Sequence, residues 1–83
     1  MNKLKILKSS LESRNDEIEN YQINIDNFTL AIEKINAEHG DNQPIVEFRD
    51  NLSSLLESHK IEQLKSIIIR DVIAEQITEI EDS

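Results

Sequence analysis

The sequence predicts an all-α fold: an antiparallel helical hairpin in which one long N-terminal helix packs on a kinked or broken second arm, coiled-coil-like and oligomeric. Three observations carry that expectation. First, five heptads open the chain. Leu4, Leu11, Ile18, Ile25 and Ile32 form one row, and Leu7, Arg14, Tyr21, Phe28 and Ile35 form another three residues on, so nine of the ten seam positions are apolar. Second, the only glycine and the only proline stand close together, at Gly40 and Pro44. Third, about 37 residues lie on each side of that break, and each arm spans roughly 55 Å at 1.5 Å per residue.

A single helical domain over 1–83 accommodates these elements. The first helix is expected over about 2–38, because alternating steps of three and four residues return a side chain to nearly one face of an α-helix. The string Glu38-His39-Gly40-Asp41-Asn42-Gln43-Pro44 then predicts a turn over 39–44. Gly40 suits the left-handed conformation that closes a helix, Asp41 and Asn42 can cap the next one, and Pro44 fits a first turn because it has no N–H to donate. A second helix follows over about 45–57, through Ile45, Phe48, Leu52, Leu55, Leu56 and His59. At about 100° per residue, the next apolar set, Ile61, Leu64 and Ile68, points nearly opposite to Leu52 and Leu56. A kink or break is therefore expected at 57–60, with a third helical stretch over about 61–81. That stretch is apolar over a wide arc, including Ile68, Val72 and Ile73, and so predicts contact with more than one neighbour. Ile67-Ile68-Ile69 is β-branched, but good helix formers on both sides favour helix.

Three aromatic residues (Tyr21, Phe28, Phe48) and no tryptophan make the core aliphatic and thin. Ordering a chain costs on the order of 1.5 kcal/mol per residue, so a lone hairpin of 83 residues is marginal and self-association is its cheapest remedy. Seventeen acids against nine bases give a net charge of −8, which repels polyphosphate and argues against nucleic-acid binding. Without cysteine there are no disulfides or thiolate metal sites, which fits a reducing compartment. Lys3, Lys5 and Lys8 are followed by polar sequence with no small-residue cleavage site, so a signal peptide is not indicated. No apolar run approaches the roughly twenty residues that cross a bilayer. A soluble, cytoplasmic protein is expected.

No residue is assigned to catalysis, to a cofactor or to a metal, and a non-enzyme is expected. One glycine and no cysteine cannot build a phosphate-cradling loop or a thiolate zinc site. His39 and His59 lie roughly 30 Å apart by helix rise, too far to share a metal, and read as exposed histidines. Carboxylates such as Asp16, Glu17, Glu19, Asp26 and Asp50 are plentiful, but catalysis needs them in a desolvated pocket and a thin rod has few. Arg14 interrupts the seam, where a polar residue fixes register, snorkels to water, or binds an anion. Arg14, Asn20, Tyr21, Asn24 and Asn27 form the candidate binding patch, with an exposed helix flank as the plain alternative. Folding back also sets Glu75, Glu79, Glu81 and Asp82 beside Lys3, Lys5 and Lys8, either as cross-arm pairs or as two solvated ends.

The stretch from Arg14 to Phe28, with Leu55-Leu56-Glu57 and Ile61-Glu62-Gln63-Leu64-Lys65 after the turn, resembles small uncharacterised helical proteins of large tailed bacteriophages. More loosely, the layout of long helix, turn, helix and acidic tail is similar to the tail-fibre assembly chaperone of T-even phages. The resemblance implies a viral accessory protein. Composition and resemblance together lead to an expected function as a self-associating protein that binds another protein, host or phage, and inhibits or modulates a host or defence factor. Assistance in virion or tail assembly is the alternative. A third reading, an oligomeric sponge for a small anionic nucleotide, places Arg14, Tyr21, Lys34 or Arg49 at subunit interfaces.

Overall fold

In the computed structural model, which describes residues 2–82, two helices fold back on each other: α1 (Lys3–Glu38) and α2 (Gln43–Asp82). The chain is an all-α helical hairpin. Its register is antiparallel, since Lys8 meets Glu81, Arg14 meets Ser66, Gln22 meets Gln63 and Asn36 meets Arg49. The rod measures 62 × 19 × 14 Å. Its radius of gyration, 18.4 Å, compares with about 12 Å for a compact chain of this length.

Local chemistry accounts for the ends of both helices. Asn2 caps α1, its Oδ1 accepting a hydrogen bond from the Lys5 N–H at 3.2 Å. The last turn of α1 closes when the His39 N–H donates to the Ile35 carbonyl at 2.8 Å, and the Asn42 N–H then donates to the His39 carbonyl at 3.0 Å. Asn42 starts α2, because its Oδ1 accepts from the Ile45 N–H at 3.4 Å and its carbonyl accepts from Val46. Pro44 falls in the first turn of α2, where a missing N–H goes unnoticed.

Gly40 departs from expectation, because it does not take a left-handed conformation and no described residue has positive φ. Added at Gly40, a Cβ would meet only the Asn36 carbonyl oxygen, at 3.5 Å. Gly40→Ala is therefore expected to stabilise the hairpin by about 0.4–1 kcal/mol through the unfolded chain. A urea midpoint that rises checks this, and one that falls would mean the turn demands glycine.

The expected kink or break at 57–60 is absent, since α2 is one helix of 40 residues. The face that meets α1 runs without interruption in steps of three and four through Arg49, Leu52, Leu56, His59, Gln63, Ser66, Arg70, Ile73, Ile77 and Ile80. Following apolar residues alone leads off this row at Leu56, because the next members are polar. Ile61, Leu64 and Ile68 are not a displaced seam. They point outward, and each is 55–56% exposed.

On α1, every residue from Leu4 to Ile35 in the two heptad rows is buried or half-buried. Their partner is α2 of the same chain. Apolar residues close the seam at both ends, with Leu4, Leu7 and Leu11 on the side of Ile73 and Ile77, and Phe28, Ile32 and Ile35 on the side of Leu52 and Leu56. Among the described residues, only four large apolar side chains are buried, each 6–7% exposed: Ile25, Ile35, Leu52 and Ile77. A rod two helices thick can enclose few more, because each helix has one neighbour.

Candidate functional site

Between the apolar ends lies a polar stretch of seam. Ser66 is the most buried described residue, 2% exposed. Its hydroxyl donates to Glu17 Oε1 at 2.8 Å, and Arg14 Nη1 reaches both Glu17 Oε2 at 3.4 Å and Ser66 Oγ at 3.5 Å. One turn along, Gln63 Nε2 donates to the Ile18 carbonyl at 3.2 Å and to Gln22 Oε1 at 2.9 Å. Gln22 in turn donates to Asp26 at 2.9 Å. No buried side-chain N or O atom among the described residues lacks a partner. Satisfied polar groups of this kind cost little, whereas any slip of register would strand them. This part of the seam specifies alignment rather than adding hydrophobic stability.

His59 closes the polar stretch and is not the exposed residue that the sequence suggests. It is half-buried, with Nδ1 2.9 Å from the Leu55 carbonyl, which accepts its proton. Its ring meets Tyr21 and Phe28 edge-on, at centroid distances of 5.8 and 5.1 Å. His39 is exposed, 4.0 Å from Glu38. Among the described residues, no three His, Cys, Asp or Glu side chains gather closely enough to hold a metal.

The predicted binding patch does not assemble. Arg14 and Tyr21 are committed to the seam, while Asn20, Asn24 and Asn27 lie exposed along the flank of α1. Nor do Arg14, Tyr21, Lys34 and Arg49 converge within one chain. Lys34 pairs with Glu38 at 3.2 Å, and Arg49 donates to Asn36 at 2.8 Å and pairs with Asp50 at 3.2 Å. Each cation already faces an oxygen of its own chain. Of the predicted pairing between the ends, the described residues show Lys8 with Glu81 at 3.7 Å, an exposed contact worth at most about 1 kcal/mol.

Concave surface is slight and open to solvent. One hollow lies over the turn, between Asn36 and Gln43, and another of about 360 Å³ is lined by Ser9, Ser10, Ser13, Arg14, Glu17 and Ile73. Neither is enclosed by apolar walls of the kind that desolvate a reacting group. The prominent surface feature is convex. On the side of α2 turned away from α1, Ile61, Leu64, Ile68 and Val72 recur at spacings of three, four and four, and each is about half exposed. Phe48, Leu55 and Ile69 extend that apolar area toward one flank. Of the predicted seam residues on α2, Ile73 does face α1, but Ile68 and Val72 belong to this outer stripe.

No family model matches the chain, and no curated protein or solved structure matches it. No helix among the described residues is long and apolar enough to cross a membrane.

Proposed function

We propose that this chain is a non-enzymatic helical hairpin that acts by binding another protein through the outer face of α2. One observation carries the reading: Ile61, Leu64, Ile68 and Val72 make a continuous apolar stripe that the hairpin leaves uncovered. The heptad seam is already filled from within the chain, so the stripe is surplus to folding. Isoleucine and leucine at helical spacing along an exposed face is the pattern by which helices dock on partners.

Inhibition or modulation of a host or defence factor is the role this reading favours.

A photo-crosslinking residue tests the assignment in cells. Placed at Ile68, it is expected to capture a discrete protein partner, while the same group at Asn20 or Asn27 captures none. Equal capture at both positions, or none at Ile68, would remove the outer face of α2 from the account.

A further inference from the structure

Resting on the reading that this face docks a protein, we infer that its occupant is a cationic amphipathic α-helix of a different protein, with apolar side chains bordered by lysine or arginine. Shape and charge both point to it. From Ile61 to Val72 the stripe is about 16 Å long, three helical turns, which suits anchors at i, i+3 or i+4, and i+7 on a partner helix. Acids stand toward its two ends, while Lys60 and Lys65 flank its middle. Glu57 stands one turn before Ile61, Asp71 lies beside Ile68, and Glu75 and Glu79 continue the line beyond Val72, all of them exposed.

Between residues 57 and 79 the bases are Lys60 and Lys65, which flank the stripe, and Arg70, which lies in the row that faces α1; Lys65 is already engaged. Its Nζ lies 2.9 Å from Glu62 Oε1, and that hydrogen bond and charge raise its pKa above the ordinary lysine value. Glu57 pairs with Lys60 at 3.5 Å and Asp71 with Arg70 at 3.0 Å, while Glu75 and Glu79 have no ion pair among the described residues. An incoming base therefore finds open carboxylates at the end of an apolar stripe.

A second copy fits less well. Of the outward apolar residues of α1, Ile23 and Leu30 are bordered by Glu19, Asp26 and Glu33, and Ile6 alone has basic neighbours, Lys3 and Lys5. Over most of either outer face a second molecule would bring acid against the acidic end of the stripe, with −8 on each chain. Anionic membranes and nucleic acid are repelled by the same field.

Synthetic helical peptides with the full chain decide the matter by fluorescence anisotropy. One peptide carries a leucine stripe edged with lysine, and its twin carries the same stripe edged with glutamate. The lysine peptide is expected to bind at least about tenfold tighter at low ionic strength, with the preference shrinking as salt is raised. Glu75→Lys with Glu79→Lys should reduce or reverse that preference, and Leu64→Ser with Ile68→Ser should abolish binding with no change of charge. Equal binding of the twins would overturn the cationic partner while leaving protein docking intact. If neither binds, and sedimentation shows a wild-type dimer that the double serine variant dissolves, the occupant is a second copy and the inference is wrong. Failure of both peptides with a monomeric wild type would sink the inference and the docking reading together.

Discussion

Leu52→Ala is expected to cost about 2–4 kcal/mol, among the largest losses of single truncations in this chain. Leu52 is 6% exposed and is one of the four large apolar side chains that are buried. Removing three carbons from such a site forfeits their burial and leaves a void that the neighbouring turns only partly fill. The size of the effect relative to the whole matters more than its absolute value. A core of this extent rarely supplies more than about 3–5 kcal/mol of net stability, so the variant should be largely unfolded at 37 °C. Leu55→Ala, three residues on, is the control: Leu55 is 47% exposed and lies off the seam, so its truncation should cost under about 1 kcal/mol. Urea unfolding followed by circular dichroism separates the two. Comparable losses at both positions would mean that the seam has been assigned to the wrong face of α2.

Ser66→Leu is the second large effect, and its sign is the reverse of what heptad reasoning alone suggests. Leucine at a seam position ordinarily stabilises a coiled coil. Here Ser66 is enclosed by α1, with its hydroxyl on Glu17 and within reach of Arg14. A leucine adds volume where no space is left, which costs typically 1–3 kcal/mol. It also removes the hydroxyl that satisfies the inner oxygen of Glu17. We expect a net loss of about 2 kcal/mol or more by urea unfolding. Ser66→Ala keeps the close approach and gives up only the hydrogen bond. Because Glu17 is partly open to water and can be hydrated instead, this variant should lose no more than about 1 kcal/mol. A stabilising Ser66→Leu would show that the two helices are farther apart at this level than the hydrogen bonds indicate.

What was legible in the sequence follows from how each segment hides its apolar groups. In α1 the burial period is written in apolar residues, broken only at Arg14, so helix, face and partner surface all follow from spacing. The turn is equally clear, since Asn42 is a strong cap and Pro44 suits a first turn, although Gly40 does not take the left-handed φ that its position suggests. The middle of α2 was not. There the seam is built from His59, Gln63, Ser66 and Arg70, whose burial is stabilised by hydrogen bonds to residues more than forty positions away in some cases. A hydropathy pattern carries no trace of such partners. The stronger apolar rhythm of Ile61, Leu64 and Ile68 belongs to the outer surface, and it implied a break that the helix does not have. A signal was nonetheless present. His59 already stood in the three-and-four row of Leu52 and Leu56, and extending that count through polar residues reaches Ile73, Ile77 and Ile80.

Arg14 and Tyr21 stand out in an aliphatic row as a polar and an aromatic residue, and in the hairpin both are engaged across the seam, with Ser66 and His59. The uncovered apolar surface is on the other helix. Its residues look like core in sequence because exposed and buried apolar stripes share one helical rhythm.

Thiol labelling tests most directly the central claim that α2 turns Ser66 inward and Ile68 outward along an unbroken helix. The chain has no native cysteine, so single substitutions report cleanly. With Ser66→Cys and Ile68→Cys compared at a dilution where sedimentation shows one copy, the thiol at 66 should react many times more slowly than the thiol at 68. A protected thiol at 68 beside a freely reactive one at 66 would contradict the account.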